Sequence, residues 1–312
     1  MILFNCSEDN NLMKGLILMS IQNVTVAGGG VLGSQIAYQT ALHGFNVTLF
    51  DRSVDKAKTR VNALRDSYKR DLNLSDDEFD QGLSRITYTD NLADSVKNAD
   101  LVIEAITESI PVKAKFYEEL SSAAPEKTIF ASNSSSLLPS QLVKYTDRPE
   151  KYLHFHFANE IWSRNTVEIC GNDKTDSDVF NEMIDFAKKI GMIPVPLSKE
   201  QPGYVLNTML IPWLNSSMIL WAKGIADPIT IDKVWMKDLG ATVGPFGILD
   251  IIGLRTHYNI VKAEAERKND DDLKLVAQKM KERIDANKLG PTTGEGFYHW
   301  PNPEFQSPDF LK

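Results

Sequence analysis

Residues 21–41, IQNVTVAGGGVLGSQIAYQTA, decide the fold. The apolar, β-branched run IQNVTVA reads as a buried strand and leads directly into Gly28, Gly30 and Gly33, spaced as GxGxxG, with a helical pattern over residues 31–41 behind them. A lone GxGxxG is weak, but a strand before it and a helix after it are the context in which the motif holds a dinucleotide. The first glycine permits a tight turn, the second lets backbone approach a pyrophosphate, and the third lets helix and strand pack closely. The first-turn N–H groups of that helix, around Val31 and Leu32, then face the phosphates.

A second strand pattern, residues 45–50, ends on Asp51, close to the spacing of about 20 residues at which a carboxylate accepts hydrogen bonds from the adenosine ribose. Such a carboxylate repels a 2′-phosphate, so NAD is expected over NADP, with the adjacent Arg52 softening the discrimination. The plain alternative is an ordinary glycine turn and an acid that merely ends a strand. It requires strand, turn, helix and acid to fall in order by chance.

The pattern keeps alternating beyond Asp51. Residues 54–72 read as one long polar helix, SDDEFDQGL begins with an N-cap at Ser75, and residues 86–89 form a short strand followed by a helix from about Asn91. Residues 100–105, 128–132 and 152–155 read as buried strands, with the amphipathic KAKFYEEL between the first two, and residues 193–197 as the last strand. Alternation of this kind implies an α/β fold, a mostly parallel Rossmann-like sheet covered on both faces. Ligands bind at the carboxyl ends of such strands, and Glu108, Asn133, Ser135 and His156 all follow strand ends.

Composition shifts at KEQPG, so the dinucleotide domain is expected over 19–200 and an all-helical C-terminal domain over 201–312, walling a substrate cleft and carrying dimerisation. In that half, residues 203–223 read as an apolar helix interrupted by Pro212, with further helices after Asp227-Pro228 and from about Phe246. Ile248, Leu249, Ile251, Ile252 and Leu254 are too densely apolar for a solvated helix, and a subunit interface is favoured over core for them. The tail after Tyr298 is expected to be irregular. Residues 1–18 carry acids before a short apolar patch and lack the basic start of a secretory signal. They read as a disordered extension or a start-site artefact, with Met19 the expected natural start.

Lys and Arg number 34 against 42 Asp and Glu, a net charge of −8, which argues against a general nucleic-acid binder. No apolar run is long enough to span a membrane. The two cysteines, Cys6 and Cys170, make neither a disulfide framework nor a metal cluster, so no metal is expected and the reducing cytoplasm is the expected compartment.

Chemistry is carried by HFHFANEIWSRNTVEIC, in which Glu168 follows His156 by twelve residues. Alcohol oxidation beside a nicotinamide needs a group that takes the hydroxyl proton, and a neutral imidazole, with a reference pKa near 6.5, does so at neutral pH. A lone histidine is more often a core residue satisfied by backbone. His154 shares a strand face with His156, and only the register with Asn159 and Glu168 selects the latter. Cys170 reads as a small buried apolar residue, His257 and His299 as surface or packing residues, and Tyr204, Trp213 and Trp221 as core.

From about Ile21 to Tyr298 the chain resembles the short-chain L-3-hydroxyacyl-CoA dehydrogenases, including the bacterial 3-hydroxybutyryl-CoA dehydrogenases. The blocks are VAGGGVLGSQIA, LVIEAITESIPVK, TIFASNSSSL, HFAN with VEI beyond it, PGYVLN, VGPFGILDIIG and TGEGFY. The resemblance implies an NAD-dependent enzyme with His156 as base, Glu168 as its orienting partner, and Ser135 and Asn207 near substrate and nicotinamide. It implies further that Glu108, Lys113, Ser135 and Asn159 line the cofactor, and that the substrate is an acyl-CoA; a homodimer through the helical domain is expected from its apolar helix. This chain departs from the family pattern where proline usually follows the active-site asparagine: it has Glu160, then Ile161 and Trp162. It has Thr292 in place of a lysine before TGEGFY, and Ser67 stands at a CoA-contacting position without the lysine expected beyond it. Lys69 and Arg70 either replace that lysine or form an ordinary solvated face. Two other functions fit the residues: a dehydrogenase of a non-CoA hydroxy acid or carnitine-like substrate, and a non-catalytic NAD-binding structural or regulatory protein.

Overall fold

A computed structural model describes residues 21–312, so the expectation for residues 1–18 lies outside the described residues. The chain divides into two compact units, one ending at Tyr204 and the other running from Val205 to Lys312.

The first unit alternates as read: β1 (Asn23–Ala27), α1 (Val31–Leu42), β2 (Asn46–Phe50), α2 (Val54–Asn62), α3 (Arg65–Leu72), α4 (Asp76–Leu83), β3 (Ile86–Thr89), α5 (Leu92–Val96), β4 (Leu101–Glu104), α6 (Ile110–Ala123), β5 (Ile129–Ser132), α7 (Pro139–Leu142), β6 (Tyr152–Phe157), β7 (Thr166–Gly171), α8 (Ser177–Lys189) and β8 (Ile193–Leu197). The strands form one sheet in the order β3-β2-β1-β4-β5-β6-β7-β8. Every pairing is parallel except β6 with β7.

Period-2 alternation sorts the strand residues between two cores. Leu101, Ile103, Leu153, Phe155, Phe157, Val167 and Ile169 join the core that holds Ile36, Tyr38 and Phe186. Val102, Phe130 and Tyr152 join Phe116, Tyr117 and Leu120 on the opposite face. His154, His156, Glu168 and Cys170 occupy alternate positions with respect to the first set and therefore share the second face.

Three element readings are corrected. Residues 54–72 are two helices, because Leu64 N–H bonds to the Val61 carbonyl three residues back and tightens the chain between α2 and α3. β7 and α8 were not anticipated. In the second unit, α9 (Leu206–Ala222) runs through Pro212 without interruption and starts three residues later than read, since Gly203 and Tyr204 have φ of +79° and +52°. Ser75 caps α4 in a full capping box with Glu78, and Asp227 caps α10 (Pro228–Leu239).

α11 (Pro245–Ile252), α12 (Leu254–Lys268) and α13 (Asp271–Asp285) complete the second unit. Leu249 and Leu254 are buried in its core, with Ile248 and Ile252 half-buried against it. Two buried carboxylates fix its joints. Asp232 accepts from Phe246 N–H (2.9 Å), Gly247 N–H (3.0 Å) and the Tyr298 hydroxyl (2.8 Å), at the start of α11 where the helix dipole favours an anion. Asp250 accepts from the N–H groups of Phe297 and Tyr298 and from the Trp300 indole. A Cβ at Gly244 would overlap Asp232, and one at Gly296 would overlap Asp250, which accounts for glycine in VGPFGILDIIG and TGEGFY.

Asp232→Ala strands three buried donors and is expected to destabilise the helical unit by about 3 kcal/mol, at roughly 1–3 kcal/mol for each unsatisfied group. Tryptophan fluorescence during urea unfolding checks this, since Trp213, Trp221, Trp235 and Trp300 all lie in that unit. An unchanged midpoint contradicts the account.

Candidate active site

The glycine turn follows β1 as the motif requires. Gly28 has φ of +106°, and its N–H donates to the Phe50 carbonyl at 2.8 Å. A Cβ there would meet the Ala105 carbonyl, one at Gly33 would overlap the Gly28 carbonyl, and one at Gly30 would meet nothing within 4 Å. Gly30 is also the N-cap of α1 and gives it no side-chain cap, while Val31 beside it is exposed and Leu32 half-buried. The open face at Gly30 and the uncapped first turn suit a pyrophosphate. Asp51 ends β2 and accepts from Gly29 N–H (2.7 Å) and Ser53 N–H (2.7 Å), which anchors the acid beside the turn. These residues fit NAD.

Further along the same carboxyl edge, Glu108 gathers the loop after β5. Its Oε1 accepts from the Ser134 hydroxyl (2.6 Å), Ser135 N–H (3.0 Å), Ser136 N–H (2.8 Å) and the Ser136 hydroxyl (2.9 Å). Lys113 is buried between Glu104 (2.5 Å) and Glu108 (3.3 Å). Partial burial pushes the Glu108 carboxyl up, but Ser134, Ser136 and Lys113 outweigh it and hold the group down at about 2. Lys113 therefore meets this site through Glu108.

β6 and β7 pair antiparallel with His156 directly opposite Glu168. Both are almost fully buried, and His156 Nδ1 lies 2.8 Å from Glu168 Oε2. A carboxylate oxygen only accepts, so Nδ1 carries the proton and, in the neutral ring, Nε2 is left with a lone pair. That Nε2 receives the hydroxyl of the exposed Ser135 at 3.0 Å. Ser135, His156 and Glu168 are thus brought together, and the chain they form opens outward at Ser135.

The remaining candidates are more scattered. Asn159 is exposed in the bend after β6, and Asn207 is half-buried in the first turn of α9, in the second unit. Lys69 is exposed and paired with Asp76 at 2.7 Å, and Ser67 is half-buried on the same helix. Arg70 pairs with Asp71, which also accepts from the Trp162 indole at 2.8 Å. Glu160 has φ of +62°, and its N–H donates to Gln35 Oε1 at 2.9 Å. Cys170 is buried, and burial raises its thiol to about 11. Read from sequence as core, Tyr204 is buried but lies in the site: its ring stacks on His156 at 4.4 Å between centroids with 4° between planes. No spacing rule marks it, because the contact joins residues 48 positions apart.

A glycine turn built for NAD and a carboxylate-held imidazole on the same sheet edge define a nicotinamide-dependent oxidoreductase of Rossmann type. Comparison with known proteins makes this specific. The model for the 3-hydroxyacyl-CoA dehydrogenase NAD-binding domain matches residues 23–201, and that for the C-terminal domain of the same enzymes matches residues 203–300. The chain belongs to the 3-hydroxyacyl-CoA dehydrogenase family. It is 32% identical to the mitochondrial hydroxyacyl-coenzyme A dehydrogenase of Homo sapiens over 288 residues, 90% of this chain and 91% of that protein. It is 30% identical to a probable 3-hydroxybutyryl-CoA dehydrogenase of Bacillus subtilis, covering 90% of this chain and 98% of the relative. Among solved structures it is similar to a diketoreductase described as a dual catalyst of dicarbonyl compounds, with a TM-score of 0.85, 49% identity, and coverage of 90% of this chain and 99% of that one. Among the described residues no helix is long and apolar enough to cross a membrane.

Glu108 organises the serine loop, so Glu108→Ala is expected to lower turnover about 10-fold or more by displacing Ser135 from His156. Steady-state NADH oxidation reads kcat; activity equal to wild type refutes the organising role.

Proposed function

We propose that the protein interconverts (S)-3-hydroxyacyl-CoA, with short chains such as 3-hydroxybutyryl-CoA included, and 3-ketoacyl-CoA. The observation that carries this reading is the Ser135–His156–Glu168 chain, whose geometry leaves Nε2 as the acceptor. NAD+ bound at the glycine turn supplies the hydride acceptor. His156 Nε2 takes the proton of the 3-hydroxyl as carbon gives up hydride, and returns it to the carbonyl oxygen in reduction. Glu168 keeps the proton on Nδ1 and stabilises the imidazolium that forms. The Ser135 hydroxyl, which occupies Nε2, turns to the substrate oxygen and holds it in line. Asn207 is assigned a second hydrogen bond to substrate oxygen, read by Asn207→Ala in the same assay. Residence in the cytoplasm and a homodimer formed through the helical unit belong to the same proposal.

A second reading replaces the CoA thioester with a free 1,3-dicarbonyl compound. It is supported by the diketoreductase relative at 49% identity and by the pairing of Lys69 and Arg70 with Asp76 and Asp71, which leaves those cations already partnered. NADH oxidation with acetoacetyl-CoA, acetoacetate and ethyl acetoacetate separates the readings by kcat/KM. Higher values for the free compounds favour the second. Removing a general base costs about 100- to 10,000-fold. His156→Ala is therefore expected to lose turnover by that order and keep its NADH affinity, with Glu168→Ala impaired in the same direction. Wild-type turnover in His156→Ala refutes the assigned base, and tight NADH binding without turnover of any of these compounds favours a non-catalytic role.

A further inference from the structure

Glu168 and Ser135 fix the two nitrogens of His156, but hydrogen bonds in the ring plane leave the imidazole free to tilt. Tyr204 covers a face of it with its ring. Its ring lies parallel to the imidazole, and its hydroxyl donates to the Ser134 carbonyl at 2.6 Å. Since a carbonyl cannot donate, the phenol proton is committed there, and the His154 Nδ1 contact at 2.7 Å must be an N–H donated to the tyrosine oxygen. His154 Nε2 then accepts from the Tyr152 hydroxyl at 3.0 Å. His154 is fully buried; burial first, and Lys113 second, push its pKa down to about 3, so it stays neutral and the bonding pattern is single-valued at any physiological pH. At its other end the tyrosine backbone is held at φ +52°, in the left-handed region that a non-glycine residue rarely adopts.

We propose that Tyr204 is a positioning residue for the hydride-transfer reaction, clamping the plane of His156 against the serine loop, with His154 as the anchor of its hydroxyl. The inference rests on the functional reading above. One ring reaches both sides of the Nε2–Ser135 contact, His156 directly and Ser135 through its chain neighbour: its face lies on His156, and its hydroxyl lies on the carbonyl of Ser134, the residue before Ser135. It sets the distance between Nε2 and Ser135 Oγ from outside the hydrogen-bonded chain. A stacked aromatic face also favours the positive ring that forms as the alcohol is oxidised.

The test is a series of Tyr204→Phe, Tyr204→Leu and His154→Gln, assayed as the full chain with NADH and acetoacetyl-CoA, alongside His156→Ala. Misplacement by about 1 Å costs on the order of 100-fold, so Tyr204→Leu is expected to lower kcat about 30- to 100-fold, and Tyr204→Phe, which keeps the face and loses the anchor, about 3- to 10-fold. His154→Gln should follow Tyr204→Phe. NADH dissociation constants are expected to stay within about 2-fold of wild type, as no residue in the series touches the glycine turn. In the NMR spectrum, the ring-current displacement of the His156 Cε1 proton should persist in Tyr204→Phe and vanish in Tyr204→Leu. A folded Tyr204→Leu with wild-type kcat overturns the proposal, as does a kcat loss matched by lost NADH affinity, which marks a general structural role. Turnover surviving in His156→Ala overturns the functional reading instead, so the two failures are distinguishable.

Discussion

The antiparallel pairing of β6 with β7 is the constraint on which the site depends. In a sheet otherwise parallel, this single reversal puts His156 and Glu168 directly across from one another, and period-2 alternation sends both side chains to the same face. A slip of one residue would turn Glu168 into the apolar core beside Phe155 and Phe157 and leave the imidazole without its acceptor. Register is held by the apolar set on the other face, where Val167 and Ile169 are buried. The proton inventory follows from backbone pairing: carboxylate opposite, proton on Nδ1, lone pair on Nε2, serine hydroxyl on the lone pair.

Carboxylates recur as the joints of both units, buried at Glu104, Asp232 and Asp250 and more exposed at Glu108, and each gathers several backbone or side-chain donors. Glu104 takes Ile106 N–H, Lys113, Ser132 and Tyr117; Glu108 takes the serine loop; Asp232 and Asp250 take the turns of the helical unit. Burying an anion is costly unless it is fully satisfied, so such groups tolerate little displacement and specify one arrangement of the chain around them. The site inherits this rigidity: the serine that contacts His156 is held by a carboxylate from the neighbouring strand end.

Much of this was legible in the sequence because it is local. The strand-turn-helix at residues 21–41, Asp51 at the end of β2, and the capping residues Ser75 and Asp227 all act within a few positions of themselves. The twelve-residue interval from His156 to Glu168 carried the pair, although the strand that delivers Glu168 was not recognised: TVEIC is short, and an acid at its centre breaks the continuous apolar run by which a strand covered on both faces is read. The break between α2 and α3 has neither glycine nor proline to announce it. Pro212 misled in the opposite sense, since α9 absorbs it while the Ser216 hydroxyl donates to its carbonyl at 2.9 Å. Tyr204 looked like ordinary core because burial is all that an aromatic residue shows in sequence. Its ring stack, its hydroxyl contacts with His154 and Ser134 and its left-handed backbone are tertiary facts.

The loop between β6 and β7 shows why a departure from a family pattern need not be a single-residue matter. Where the resemblance leads one to expect proline, Glu160 has φ of +62°, which a pyrrolidine ring locked near −65° cannot adopt. The backbone there is held by Gln35 from α1, which takes the N–H groups of Glu160 and Ile161, and the loop is closed by Trp162, packed on Tyr68 and bonded to Asp71. Asp71 in turn holds Arg70. Exchanging one side chain for proline would therefore ask for a new path of the loop, and with it a new partner for Trp162. The loop that leaves the strand carrying His156 is thus tied to α3 through Trp162, by its indole bond to Asp71 and its packing on Tyr68.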